Sequence, residues 1–416
     1  MADLIEDITL SGQPFTISFH PVRPILAVGL ITGDIELHTA GATDAAASSA
    51  SMKEATLNGS LIQMLTPFTK DISVRSVKFH PTQQNLLFCA SGGGEIAVYD
   101  LEAKTTNKFF ATVVDQKTGL GVGLNCLSFS ELEDCMMWTG DDNGTIRVFD
   151  VRSPSQGGTT SHISKPVWAG SEHTDFISCF VQGNGTAPHT LVACSGDGRI
   201  SVYDQRNMKE PFVKKSDDQE DDMLSGLSMK HGKKLVCGSQ GGVLNIWSVG
   251  TWGDVSDRFP GHPDSIDCMI KIDESTLVTG SSDGLLRVCS VLPDKFIGVL
   301  GDHEGFPVEE LELNQSKTLL GSLSHDNKVR LWDATVLFEE GAQEGEGDID
   351  AVEMMRGEGV GLKGGDEEDE DEEDWEDMDG GEGDEMDEDD DEDEDDEDGG
   401  GKFKLKTDAE KFFSDL

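Results

Sequence analysis

Thr318 to Asp333 reads TLLGSLSHDNKVRLWD. The stretch predicts two short strands around a tight turn. Leu319, Leu320 and Leu323 precede the turn, and Ser324-His325-Asp326-Asn327 make it. Val329, Leu331 and Trp332 follow in near-alternation, the two-residue period of a half-buried strand. One hairpin decides little; its recurrence decides the fold.

The same frame of apolar strand, Gly/Asp/Asn turn, alternating strand and polar stop returns six times upstream. The copies are LAVGLITGDIELHTA, LLFCASGGGEIAVYD, MMWTGDDNGTIRVFD, LVACSGDGRISVYD, LVCGSQGGVLNIWS and LVTGSSDGLLRVCS. The position held by Trp332 falls at 38, 99, 149, 203, 247, 289 and 332, so the intervals are 61, 50, 54, 44, 42 and 43. A propeller blade takes about 40–45 residues, and its strand often ends in the Trp-Asp pair of the WD repeat. The chain therefore predicts an all-β fold, a seven-bladed WD-repeat β-propeller over residues 1–338.

Each blade opens on its own strand: PFTISFHP, VRSVKFHP, LNCLSFS, FISCFVQ, LSGLSMK, SIDCMIKI and VEELEL. The long intervals hold insertions. Residues 40–60 read as a flexible inter-blade loop, and SPSQGGTT at 153–160 as a second loop. The seventh repeat supplies only three strands. LIEDITL at 4–10 is expected to add the fourth, hiding an edge that would otherwise be open.

The net charge is −49, and 27 carboxylates lie within residues 366–398 with no Lys or Arg among them. Removing that tract leaves −22 on the rest of the chain. Such a body is a poor general phosphate surface, so direct nucleic-acid binding is not expected. The eight cysteines form no CxxC pair, which argues against zinc, and they suit a reducing compartment as small core residues. Asp3, Glu6 and Asp7 break any signal-peptide core, and no apolar stretch is long enough to span a membrane. No phosphate-binding Gly loop, HExxH helix or GxSxG elbow is present, so neither cofactor nor metal is expected and the chain reads as a non-enzyme.

Some blades carry His, Asp and Ser or Thr in order, which resembles a catalytic triad. They are His303, Asp326 and Trp332 with Ser322 or Ser324; His262 and Asp283 with Thr279 or Ser281; and His173 and Asp197 with Ser195 and Tyr203. Because the set repeats from blade to blade, it reads as a structural brace, which a unique active site would not do.

Several strings are more specific than the general repeat. SDRFPGHPDSIDCM at 256–269, VLPDKFIGVLGDHEGFPVEEL at 291–311, PFTISFHP, LVCGSQGGVLNIW and the closing SHDNKVRLWD resemble the WD repeat-containing protein 55 family. The resemblance covers roughly residues 1–338. It implies a non-enzymatic scaffold of the nucleus and nucleolus, with the cytoplasm left open. The implied role is in rRNA processing and ribosome biogenesis, as a monomer within larger complexes. Pre-ribosomal factors or basic ribosomal proteins are the implied partners. The alternative is an adaptor of a cullin-4 ubiquitin ligase. Phe149-Asp150-Val151-Arg152 fits the aromatic-Asp-x-Arg string that some propellers use to dock that ligase's linker, and Tyr203, Asp204 and Arg206 fit it more loosely.

Residues 339–416 are expected to be a disordered tail, because the acidic tract cannot bury enough apolar surface to fold. The tract would attract basic proteins at long range, or serve only solubility. At 402–416, Thr407 and Glu410 have capping-box spacing, and Phe412, Phe413 and Leu416 could share a helical face. Those three are candidate anchors of a short linear motif.

Overall fold

The computed structural model describes residues 3–40, 59–69, 71–114, 119–133, 135–152 and 165–338, without the side chains of 105–112. The acidic tract and the candidate motif with Phe412, Phe413 and Leu416 lie outside the described residues.

Seven antiparallel four-stranded sheets form the blades, and in six of them the strand order follows the chain. We letter the strands of each blade a to d from the inside outward. The a strands are Pro14–Phe19, Val74–Phe79, Leu124–Phe129, Ile177–Gln182, Met223–Met229, Ile266–Lys271 and Val308–Leu313. Each lies beside the a strand of the next blade, and that of blade 7 lies beside that of blade 1, so the ring is closed. Blade 7 takes its d strand from the start of the chain: Leu4–Thr9 pairs antiparallel with Lys328–Asp333. Ile8 and Leu10 are thereby buried against Leu323, Val329 and Leu331.

The core is divided into seven clusters, one between each pair of neighbouring blades. A glycine near the end of several b strands lets the next blade approach. A Cβ on Gly140 would sit 2.5 Å from Ile177 Cβ, and one on Gly280 2.8 Å from Val308 Cγ1. The b–c turns need a left-handed residue; Gly94, inside SGGGEI, has φ +81°, and Asn327 takes that place in blade 7 with φ 58°.

Every a strand shifts register at its second residue, where a bulge re-aims the side chain. Just past the bulge, small polar side chains stitch each blade to the next. Val77 N donates to Thr16 Oγ1 (3.2 Å), Leu127 N to Ser76 Oγ (3.2 Å), and Cys126 Sγ to Ile177 O (3.6 Å). Ser178 Oγ donates to Met223 O (2.6 Å), Ser225 Oγ to Ile266 O (2.8 Å), and Cys268 Sγ to Val308 O (3.4 Å). At the seam between blades 7 and 1 the stitch is charged: Ile17 N donates to Glu310 Oε2 at 2.7 Å, and Phe19 N to Glu312 Oε1 at 3.2 Å. Lys78, from blade 2, reaches both carboxylates at 3.1 and 3.3 Å.

Candidate protein-interaction site

The His/Asp/Ser sets differ in how they are built. In blade 7, His303 Nδ1 faces Asp326 Oδ2 at 3.5 Å, His303 Nε2 faces Ser322 Oγ at 2.7 Å, and Trp332 Nε1 donates to the same oxygen at 2.8 Å. In blade 4, His173 Nδ1 lies 2.9 Å from Asp197 Oδ1 and Nε2 lies 2.7 Å from Ser201 Oγ, which donates to Tyr203 Oη at 2.9 Å. The hydroxyl is therefore Ser201, not Ser195. Position four of this b strand is Ala193, where blade 7 has Ser322, and Ser201 is its cross-strand neighbour on the c strand. Ser195 instead bonds the Asp175 carbonyl.

In blade 6 the expected link from His262 to Asp283 does not form. His262 Nε2 meets Thr279 Oγ1 at 2.9 Å, but Asp283 is held in two-point contact by Arg287. His262 Nδ1 has no protein partner. Burial, and secondarily Arg287, pushes the His262 imidazole down to about 4, so it is neutral at physiological pH. In blade 4 burial works to raise the Asp197 carboxyl, but hydrogen bonds from His173 and Lys215 outweigh it and hold the group below the usual carboxylate range. His173, His303 and their serines are buried, so no substrate can reach them. These are braces between the inner and outer strands. Among the described residues no group of three His, Cys, Asp or Glu side chains is arranged to hold a metal ion.

One face of the propeller carries the ends of the a and c strands. On it Arg152 and Arg206, following the c strands of blades 3 and 4, adopt one geometry. Arg152 Nε and Nη2 donate to Asp150 at 3.0 and 2.7 Å, and Arg206 makes the same pair of bonds to Asp204 at 2.9 and 2.6 Å. The arginine side chains remain 60 % and 63 % exposed. The bond to Arg206 holds the Asp204 carboxyl down at about 2. Phe149 and Tyr203 are different: both are buried in the core and cannot touch a partner. The aromatic residue anchors the strand, and the Asp-x-Arg turn alone is offered to solvent.

The same face holds a feature that sequence reasoning missed. A cleft of about 490 Å³ opens among the a-strand ends of blades 2, 3 and 4, lined by Phe79, Pro81, Leu127, Phe129, Phe180 and Lys78. Its residues come from three repeats and look like ordinary strand residues in each. The available signal was aromatic identity at one repeat position, Phe19, Phe79 and Phe129, giving way to Gln182, Ser228 and Lys271 in the next three blades.

The closed ring of seven four-stranded blades, with the Trp332 brace in blade 7, defines a WD-repeat propeller. In solved structures, a chain of the crystal structure of a mitotic checkpoint complex has the same fold, with a TM-score of 0.63 at 15 % identity over 80 % of this chain and 92 % of that one. The WDR55 family model matches residues 5–337. WD repeat-containing protein JIP5 of Malassezia globosa is 32 % identical over 360 residues, covering 80 % of this chain and 82 % of that protein. The Rattus norvegicus and human proteins named WD repeat-containing protein 55 are 30 % and 29 % identical, each over 335 residues, 80 % of this chain and 78 % of theirs. The chain belongs to the WDR55 family, and none of these relatives bears an enzyme's name.

Proposed function

We propose that this protein is a non-catalytic scaffold of the nucleolus that holds partner proteins during rRNA processing and ribosome biogenesis. Membership of the WDR55 family over residues 5–337 carries the reading. The physical character of the propeller agrees with it. The polar His/Asp/Ser sets are closed braces, and the exposed features are surfaces rather than a solvent-accessible reactive constellation. The mitotic checkpoint neighbour is part of a protein complex, a use the propeller fold serves well, although fold alone does not fix a partner. Affinity purification from growing cells, with pre-rRNA blotting after depletion, tests the proposal. Co-purified pre-ribosomal factors and accumulated precursors are expected; a normal precursor pattern would remove the ribosomal role.

A second reading is favoured by the arginine pair. Two exposed, identically braced Asp-x-Arg turns on neighbouring blades suit docking to the linker of a cullin-4 ligase. The double variant Arg152→Ala, Arg206→Ala should keep its melting temperature, because exposed ion pairs add little stability. It should also lose that linker in a pull-down, and retained linker would count against the adaptor role.

A further inference from the structure

The cleft on the turn face differs from the rest of the ring in a way folding does not require. Phe79 and Phe129 each give one face to a turn histidine: His20 lies 5.0 Å from the Phe79 ring and His80 4.9 Å from Phe129. Phe180 leans on Trp138. Phe129 and Phe180 nevertheless stay only partly buried and line the cleft. Were Phe79 and Phe129 only core, their aromatic position would recur around the ring, yet in blades 4 to 6 it is held by Gln182, Ser228 and Lys271.

The charge beside the cleft is unbalanced. Lys78 lines it, but that ammonium is shared by Glu310 and Glu312, with only about a quarter of each carboxylate side chain exposed. Those two carboxylates stand outside the cleft lining and answer the ammonium, which leaves the exposed Glu131 as the carboxylate of the cleft wall. Arg152 and Arg206, farther along the same face, are neutralised by their own aspartates.

We propose that this cleft binds an extended segment of a partner protein, taking an apolar side chain between Phe129 and Phe180 and an adjacent Lys or Arg toward the Glu131 carboxylate. The cleft would supply the apolar anchor that concentrates binding energy at interfaces. The Glu131 carboxylate would supply its choice of partner. The assignment rests on the scaffold reading and locates its partner surface.

The test uses the full chain and three fluorescein-labelled peptides: GSKLKFKSG, its charge-matched GSKSKSKSG, and the acidic GSELEFESG. Titrations at about 0.3 M salt shorten the reach of the acidic tract, which in any case attracts both lysine peptides alike. The first peptide should bind about tenfold or more tighter than the second. Phe180→Ala should abolish that discrimination, while Glu131→Lys should weaken the first peptide several-fold. Arg152→Ala should change nothing. Glu131→Lys sits on an exposed wall, so it stands as the deciding variant if Phe180→Ala lowers the melting temperature. Equal binding of the two lysine peptides would overturn the cleft, as would discrimination that Phe180→Ala and Glu131→Lys both leave intact. Preference for the acidic peptide would overturn the choice of a cation and hand that role to Lys78. Loss of the cleft with pre-ribosomal partners still co-purifying would leave the scaffold reading standing.

Discussion

At the scale of single residues, the c-strand residue paired with the fourth residue of the b strand decides whether the brace forms. In blade 4 it is Ser201, small enough to leave Asp197 to His173 at 2.9 Å. In blade 7 it is Arg330, whose guanidinium is divided among Asp302 O, Glu304 and Asp326, and the His303–Asp326 distance lengthens to 3.5 Å. In blade 6 Arg287 gives both Nη atoms to Asp283, and the histidine loses its acid. Arg287→Ser should therefore return Asp283 to His262 and raise the His262 imidazole above its present value of about 4. The sign for stability follows. A histidine whose folded pKa lies below the unfolded value of about 6.5 favours the fold fully above that pH, and the contribution is lost as pH falls toward 4. The variant should show a smaller loss over that window. Titration of the His262 ring by NMR checks the first claim, and denaturant melts between pH 7 and about 4.5 check the second. An unmoved imidazole would mean burial alone sets its value.

At the scale of elements, much was legible. Short, largely apolar runs bounded by turn residues place the strands because each blade buries its b and c strands on both sides, and that need is written into every repeat. What one repeat cannot show is which neighbour a polar group chooses. Ser201 stands in for Ser195 because it lies opposite Ala193, a fact of cross-strand register. Asp283 prefers Arg287 because a guanidinium takes a carboxylate at two points where an imidazole takes it at one. The cleft was not legible because three separate repeats build it.

The N-terminal strand shows an element's worth most directly. Leu4–Thr9 covers the open edge of Lys328–Asp333, Asp7 faces Lys328 at 3.5 Å and Arg330 at 3.7 Å, and Glu6 Oε1 accepts Gly59 N at 2.7 Å across the seam. Ser11 behind it holds the buried Glu36, which in turn meets His38 Nε2 at 2.7 Å. Deleting residues 1–11 exposes a strand edge, uncovers Val329 and Leu331, and strips Glu36 of two hydrogen bonds. The melting temperature should fall by on the order of 10 °C. Differential scanning calorimetry measures it, and an unchanged transition would show that blade 7 stands on three strands.

At the scale of the whole molecule, six of the seven inter-blade joins link blades adjacent in the chain, and one does not. Blades 7 and 1 meet only because the ring closes, and there the uncharged stitch is replaced by Glu310, Glu312 and Lys78. Burial pushes the Glu312 carboxyl up and Glu310 adds to this, while Lys78 opposes them. An acid whose folded pKa is raised is best tolerated when protonated. Its share of stability is present below the unfolded value of about 4.5 and is lost as pH rises through the folded value. Lys78 limits that loss. Lys78→Met, which keeps the chain's length and apolar stem, should cost about 1–3 kcal/mol at pH 8, a range discounted because all three side chains are partly exposed. The deficit should shrink toward pH 5 as Glu312 takes up a proton in place of the ammonium. Lys78→Arg should retain most of the stability throughout. Denaturant unfolding at several pH values, with the wild-type chain alongside, gives the difference directly. A deficit of the same size at pH 5 and pH 8 would mean that Lys78 acts through the packing of its stem and not as the counter-charge of the closing seam.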